Sequence, residues 1–222
     1  MRRGLPLGMG LLVLGLLTGS GTARAQGEPE PRVAFEETAV VASGLTPGKP
    51  VAWLGVERIV DADLAAEVVR RSTTRTAGSD GVSRLELGRS AAQRSVWVAV
   101  DVESGRFVVA APDGYQINRR PRPALLDVAE GSGRSDAILD GDSYLFGLVV
   151  RPQEGAWTFQ GGDGGPQDDD GGTDGRVRFA LNQLEPLAGS PAAPDKVRGS
   201  DLWFVVDLLT MRISIHKGGV AQ

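Results

Sequence analysis

The sequence predicts an all-β protein built from two related β units, and two observations predict it. Short runs rich in Val, Ile, Phe and Trp alternate with turn signals along most of the chain, a spacing typical of β-sandwiches and barrels. In addition, one hairpin pattern occurs twice, because "SVWVAVDVESGRFVV" (Ser95–Val109) aligns without gaps on "DLWFVVDLLTMRISI" (Asp201–Ile215). The repetition indicates two repeats, or one fused sandwich built from a duplicated unit.

Residues 1–25 have the features of a secretory signal peptide. Arg2 and Arg3 give a basic start, an apolar stretch follows, and "ARA" ending at Ala25 is a small-x-small cleavage site. The apolar stretch is short and interrupted by glycines, which disfavours a membrane span; an uncleaved N-terminal anchor is the alternative. We therefore expect an exported protein, periplasmic or extracellular, with no membrane span after signal cleavage.

The composition argues against several function classes. The chain of 222 residues has a formal net charge of −4 and no cysteine. Cleavage after Ala25 would remove three arginines and no acidic residue, so the mature chain would be still more acidic. Such a chain is a poor candidate for binding nucleic acid, and without cysteine it has neither disulfides nor thiolate zinc sites. Stability must therefore come from the burial of apolar side chains.

The first repeat is predicted at residues 32–112. Strand-like runs at Arg32–Ala42 and Val51–Val60 flank a turn in which Pro47 sets φ and Gly48 can adopt a positive φ. The next run, "ADLAAEVVRRS", fits a short helix about as well as a strand. Alternating runs follow in "VSRLELG", "SVWVAVDV" and "RFVVAAP", and we expect each to form a strand.

A linker is predicted between the repeats, at residues 113–143. It contains "RRPRP", and one helical turn is expected at Ala124–Glu130. In an acidic chain these arginines are better explained by a solvated linker than by a binding patch. The second repeat is predicted at residues 144–217, with an acidic Gly/Asp loop at 161–175 and a Pro/Ala loop before the last hairpin.

The repeated hairpin predicts which side chains face the core. Side chains alternate between the two faces of a strand, so the aliphatic rows should point inward while Trp97 and Trp203 lie on the opposite face. An even-numbered loop also sets an aspartate opposite an arginine in each copy, and each such pair contributes about 0.2–1 kcal/mol. The inward rows are Val96, Val98, Val100 and Val102, and Leu202, Phe204, Val206 and Leu208; the opposed residues are Asp101 with Arg106, Asp207 with Arg212, and Trp203 with His216.

The first repeat resembles bacterial immunoglobulin-like modules. The resemblance rests on "SGLTPGKPVAW", on an Asp-Gly pair before an alternating strand, and on the Val-rich strand and hairpin. It covers Arg32–Pro112 and, more weakly, Tyr144–Lys217, without the Cys-Trp-Cys pattern of antibody domains. It implies two immunoglobulin-like β-sandwich repeats, or one fused sandwich built from a duplicated unit, and no particular function.

The chain carries no recognisable catalytic signature. Its single histidine, His216, would have to serve any Ser-His site, and no "GxSxG" motif accompanies it. A surface residue stacked beside Trp203 is the simpler interpretation of His216. We therefore expect a protein that is not an enzyme; a hydrolase that uses a carboxylate site is the alternative left open.

The stretch "GGDGGPQDDDGGTDG" (Gly161–Gly175) has two interpretations. Carboxylates and backbone carbonyls suit calcium, which takes about six to eight oxygen ligands. The spacing matches neither an EF-hand nor a nonapeptide array, so a solvated acidic loop is the alternative. The calcium ligands would be Asp163, Asp168, Asp169, Asp170 and Asp174.

The tryptophans suggest a second kind of site. An exposed indole on a sheet can stack on a sugar ring, which would make Trp97 and Trp203 a ligand platform. The alternative is that both faces of these strands are covered; Trp53 and Trp157 are expected in the core. The function we expect is a non-catalytic binding or assembly module of the cell envelope or extracellular space, with a protein or carbohydrate partner. A purely structural module without a small ligand is the alternative.

Overall fold

The computed structural model describes residues 29–36, 38–60, 66–87, 95–117, 126–131, 134–140, 145–161, 176–208 and 210–218. These residues form an all-β structure with one 3-10 turn at Leu181–Gln183, and within them no helix has the length and apolar character needed to cross a membrane. The strands are β1 (Arg32–Phe35), β2 (Ala39–Ser43), β3 (Pro50–Val60), β4 (Ala66–Thr76), β5 (Ser83–Glu86), β6 (Ser95–Asp101), β7 (Phe107–Ala110), β8 (Gln116–Ile117), β9 (Leu126–Gly131), β10 (Arg134–Asp140), β11 (Leu145–Arg151), β12 (Gly155–Gly161), β13 (Arg176–Ala180), β14 (Glu185–Pro186), β15 (Leu202–Asp207) and β16 (Arg212–Lys217).

The strands are arranged in four sheets. Sheet 1 has the order β1-β2-β5, sheet 2 β4-β3-β6-β7, sheet 3 β14-β12-β11-β15-β16-β8, and sheet 4 β13-β10-β9. The described strand pairs are antiparallel, apart from the parallel pair of β16 and β8. The orders of sheets 1 and 2 recur later in the chain, as β9-β10-β13 in sheet 4 and β12-β11-β15-β16 within sheet 3. The similarity between the two halves thus extends from the hairpin sequence to the order of the strands.

The segment predicted as a linker, residues 113–143, contains strands β8, β9 and β10. The chain is extended at Leu126–Gly131, where a helical turn was expected at Ala124–Glu130, so that expectation is wrong. The physical reason is pairing: β9 and β10 form an antiparallel ladder from Arg134 opposite Gly131 onward, and tertiary pairing overrides a weak local signal. The predicted boundaries of the two repeats stay predictions.

The structure answers two local questions that concern a segment of ambiguous secondary structure and a predicted turn. The described part of the ambiguous run, from Ala66 onward, lies in β4, an 11-residue strand that pairs along its whole length with β3. The turn before β3 forms as predicted, because Gly48 has a φ of 71° and the Lys49 N–H donates to the Thr46 carbonyl over 3.2 Å. Pro47 and Gly48 therefore close a tight turn that leads into β3.

A central core lies between sheets 2 and 3 and combines side chains from both halves of the chain. Phe107 of β7 and Phe204 of β15 meet there edge to face, with ring centroids 5.0 Å apart and planes at 71°. The inward rows predicted from the repeated hairpin all belong to this core, so that prediction is confirmed. The core residues are Ala52, Leu54, Val56, Val96, Val98, Val100, Val102, Val109, Phe146, Leu148, Val150, Ala156, Leu187, Leu202, Phe204, Val206, Leu208, Ile213 and Ile215.

Two outer cores cover the opposite faces of sheets 2 and 3. The first lies between sheets 1 and 2 and contains Trp53 and Trp97, whose ring centroids are 6.3 Å apart. The second contains Trp157 and Trp203, and it is completed by Leu181 and Leu184 around the 3-10 turn. Both faces of the central strands β6, β11 and β15 are therefore buried, which explains why these strands read as almost continuous apolar runs.

The predicted hairpin registers are confirmed in both copies. Trp203 pairs with His216 and Asp207 with Arg212 in the ladder between β15 and β16. In the first copy the Asp101 N–H donates to the Arg106 carbonyl over 2.8 Å, and Val100 pairs with Phe107. One register satisfies the apolar pattern in both hairpins, as the alternation of side chains predicts.

Candidate binding edge

The predicted ligand platform lies in the interior. Trp97 is 1% exposed in the first outer core, and Trp203 is 0% exposed in the second. Trp97 lies against Gly55, where an added Cβ would come within 2.3 Å of the indole ring. Neither ring presents a face on which a sugar could stack, because sheet 1 covers one and the chain around the 3-10 turn covers the other. The alternative interpretation, in which both faces of these strands are covered, agrees with the structure.

His216 is placed opposite Trp203 as predicted, but its predicted surface position is wrong. Its residual exposure is 2%, and it lies on β16 in the ladder pair with Trp203. The aspartates that begin the two hairpin turns are also buried and bind the turns themselves. Asp101 accepts hydrogen bonds from the N–H groups of Glu103 and Ser104, at 2.9 and 3.2 Å, and from the Thr46 N–H at 2.8 Å. These carboxylates serve as hydrogen-bond acceptors that stabilise the turns.

The predicted calcium ligands, Asp163, Asp168, Asp169, Asp170 and Asp174, lie outside the described residues. The calcium hypothesis therefore stays a prediction. In the part of the chain that the structure does describe, no group of three or more His, Cys, Asp or Glu side chains is arranged to hold a metal ion.

A buried ion pair holds the Pro/Ala loop against sheet 3. Arg151, at the end of β11, binds Asp201 through two hydrogen bonds, Nε to Oδ1 at 2.7 Å and Nη2 to Oδ2 at 2.9 Å. The two side chains are 5% and 1% exposed. The Arg151 Nη2 also donates to the Lys196 carbonyl at 2.9 Å, and the Arg198 N–H donates to Asp201 at 2.8 Å. We refer to Arg151 and Asp201 together as the loop clamp.

Trp157 adds a second attachment for the same loop. Its indole N–H donates to the carbonyls of Pro191 and Ala192, at 3.0 and 3.2 Å, and the Arg151 guanidinium lies 5.8 Å from its ring centroid. The hydrogen bonds to Asp201 raise the pKa of Arg151 above its ordinary value, although burial opposes the shift. Arg151 therefore stays charged, and the clamp is suited to fastening a loop rather than to moving a proton.

The best candidate for contact with another molecule is the outer edge of β4. Strand β4 is 11 residues long and pairs with β3 on one side; within the described residues no strand pairs with its other side. The Ala77 N–H donates to the Lys49 carbonyl at 2.9 Å, just beyond the paired residues Pro50 and Thr76. Hydrogen-bonded and non-bonded pairs alternate in an antiparallel ladder. The odd-numbered residues of β4 therefore bond to β3, and the even-numbered ones direct N–H and C=O outward.

The edge is basic in an acidic protein. The sequence of β4, "AEVVRRSTTRT", contains three arginines and one glutamate. Arg70 reaches Glu185 of β14 at 2.6 Å and so links sheet 2 to sheet 3. Arg71 and Arg75 are exposed, and their side chains make no hydrogen bond or ion pair with the rest of the described chain. Their Cα positions are about 13 Å apart, four residues along one face of the strand.

Sequence reasoning alone missed both the edge and the loop clamp. The arginines of "EVVRRSTTRT" alternate poorly, and the run could be read as a helix, whose surface would present no strand edge. Arg151 and Asp201 are 50 residues apart in the chain. A signal for the edge was available in the positive charge of a strand-length segment within an acidic chain, whereas only the fold brings the clamp together.

Comparison with models of known protein families gives no match, and comparison with curated protein sequences gives none either. The geometry of the chain itself is therefore the basis for inferring its function.

Proposed function

We propose that this protein is an exported, non-catalytic binding or assembly module of the cell envelope or extracellular space. The observation that carries the proposal is the outer edge of β4, a long row of outward-directed backbone groups on a scaffold whose central strands are buried on both faces. A free strand edge is a template for an extended segment of another chain. The predicted signal peptide supports the location.

We also propose that the scaffold consists of two immunoglobulin-like units fused through the central core. The recurrence of the three-strand and four-strand orders in both halves supports this reading. So does the equal register of the two hairpins, in which Trp97 and Trp203 occupy corresponding positions. In that arrangement sheets 1 and 2 form the first unit, while sheet 4 and most of sheet 3 form the second.

The competing function is a purely structural module without a ligand. The loop clamp supports this alternative, because it uses buried charge to hold a loop in one position. The hydrolase alternative depends on acidic residues of the loop at 161–175, all of which lie outside the described residues.

Selection from a display library of random extended peptides, with the mature chain as bait, tests the proposal. A binding module should enrich peptides of related sequence that bind the chain in solution, whereas a purely structural module should enrich none. A panel of ester, glycoside and phosphate substrates, assayed in parallel, should give no turnover above the level of a denatured control. If a substrate is turned over and Asp169→Asn abolishes that turnover, the binding-module proposal is wrong and the hydrolase alternative takes its place.

The location has its own test. The full-length chain, expressed in a Gram-negative host, should be recovered outside the cytoplasm with Gln26 at its N-terminus, as read by mass spectrometry. A chain that keeps residues 1–25 and remains with the cytoplasmic fraction would contradict export.

A further inference from the structure

The outer edge of β4 has a chemical character that narrows its partner. The even-numbered residues Arg70, Ser72, Thr74 and Thr76 direct their backbone groups outward, so an added strand would form its hydrogen-bonded pairs with them. The odd-numbered residues Arg71, Thr73 and Arg75 would then occupy the non-hydrogen-bonded pairs. In these pairs the facing side chains come closest, with Cβ atoms about 4.5–5.5 Å apart. Arg71 and Arg75 would thus face directly the side chains of the added strand.

From this geometry we propose that β4 binds an extended segment of another protein that carries acidic side chains at two positions four residues apart. The inference rests on the proposed function and identifies its partner class. Carboxylates opposite Arg71 and Arg75 would neutralise two arginines that have no ion pair in the described chain. Complementary charge would also fix the register of the added strand.

A second copy of this chain is disfavoured in two of the registers that it could adopt on this edge. Antiparallel pairing of two β4 strands centred on Arg71 sets Arg71 against Arg71, and pairing centred on Thr73 sets Arg71 against Arg75. Like charges directly opposite one another destabilise a strand pair. In these two registers the arginines disfavour self-association, whereas a register centred on Val69 sets Glu67 against Arg71. The sedimentation experiment below therefore decides between a second copy and an acidic partner.

The test uses the mature chain and two fluorescent β-forming peptides of about ten Thr and Val residues. One peptide carries glutamates four residues apart, and the other carries lysines at the same positions. Binding is measured by fluorescence anisotropy at low and at high salt. We expect the glutamate peptide to bind, the lysine peptide not to bind, and added salt to weaken the interaction. Hydrogen exchange should show increased protection of the Ser72 and Thr74 amides when the glutamate peptide is present.

Two variants and a control locate the binding. Arg71→Glu combined with Arg75→Glu should weaken binding of the glutamate peptide by about tenfold or more. Thr74→Pro should abolish it, because proline removes an outward N–H while an edge strand tolerates the ring. The control is Arg32→Glu, the same replacement at an exposed residue of β1. It should leave binding unchanged. Circular dichroism shows whether each variant is folded. If Thr74→Pro does not fold, the charge variants alone test whether the peptide binds at β4.

The outcomes separate this inference from the proposed function. Equal binding of the glutamate peptide by the wild-type chain and the Arg71/Arg75 variant overturns the inference. Library peptides that bind regardless of the β4 variants also overturn it, while the proposed binding function stands. A dimer in sedimentation that Thr74→Pro dissociates would identify a second copy as the occupant, against the inference. If no peptide of either kind binds, both the inference and the proposed function fail.

Discussion

Removal of the Asp201 carboxylate should destabilise the protein more than the loss of any exposed ion pair. In the variant Asp201→Ala, Arg151 loses two hydrogen bonds, at 2.7 and 2.9 Å, and the Arg198 N–H loses its acceptor at 2.8 Å. The Arg151 side chain is only 5% exposed, so water cannot fully replace these bonds. An uncompensated charge would then remain near the interior.

The size of this destabilisation depends on the interactions that Arg151 keeps in the variant. Breaking a buried ion pair by removing one partner costs about 3–5 kcal/mol. Arg151 retains the Lys196 carbonyl at 2.9 Å and Glu154 at 3.6 Å, which places the expected loss near the lower end, about 3 kcal/mol. For a chain of this size each kcal/mol lowers Tm by about 2–4 °C, so Tm should fall by about 6–12 °C.

Thermal and urea unfolding, followed by circular dichroism, measure this loss. The matched control is Glu103→Ala, which removes a carboxylate from an exposed pair with Lys49 whose side chains are 39% and 45% exposed. Its cost should stay below about 1 kcal/mol. The Asp201 variant should also be cut faster by trypsin at Lys196 and Arg198, because the Pro/Ala loop has lost its attachment.

The clamp interpretation also predicts non-additivity. In the double variant Arg151→Met/Asp201→Ala no buried charge is left unpaired, so the combined loss should be clearly smaller than the sum of the single losses. If Asp201→Ala and Glu103→Ala cost the same, or if trypsin cuts the loop no faster in the variant, the assignment of Asp201 to a buried clamp is refuted.

Three further predictions concern packing, a turn and calcium. Gly147→Ala should cost about 1–3 kcal/mol, because its Cβ would lie 1.8 Å from the ring of Phe159, whereas Gly199→Ala, with nothing within 4 Å, should be neutral in the same urea titration. Asp101→Ala should cost about 1–3 kcal/mol, since several turn donors lose their acceptor; an unchanged urea midpoint would contradict this. If the acidic loop at 161–175 binds calcium, millimolar calcium should raise Tm relative to a chelator, and an unchanged Tm would remove the calcium hypothesis.

The sequence predicted well those features that depend on alternation along one strand. The inward rows that begin at Val96 and Leu202 follow from side-chain periodicity, and the hairpin registers follow from the number of residues in each turn. The turn at Pro47 and Gly48 follows from the φ preferences of those residues. Each of these is a local property, determined within about fifteen residues of chain.

Whether a face is covered depends on residues distant in the chain, and here the sequence was insufficient. A surface position for His216 and a helical turn at Ala124–Glu130 were reasonable from local composition, but the structure contradicts both. Sequence also left open whether Trp97 and Trp203 are exposed; neighbouring chain segments bury both.

The sequence by itself determined the strands of the two repeated hairpins, their faces and the pairing within each hairpin, because these depend on neighbouring residues and on the period of two along a strand. Only the tertiary structure decided that both aliphatic faces share one core, that Arg151 meets Asp201, and that no described strand pairs with the basic outer edge of β4. The physical reason is that sheet stacking and edge exposure depend on how distant segments exclude water from one another, which no single segment encodes.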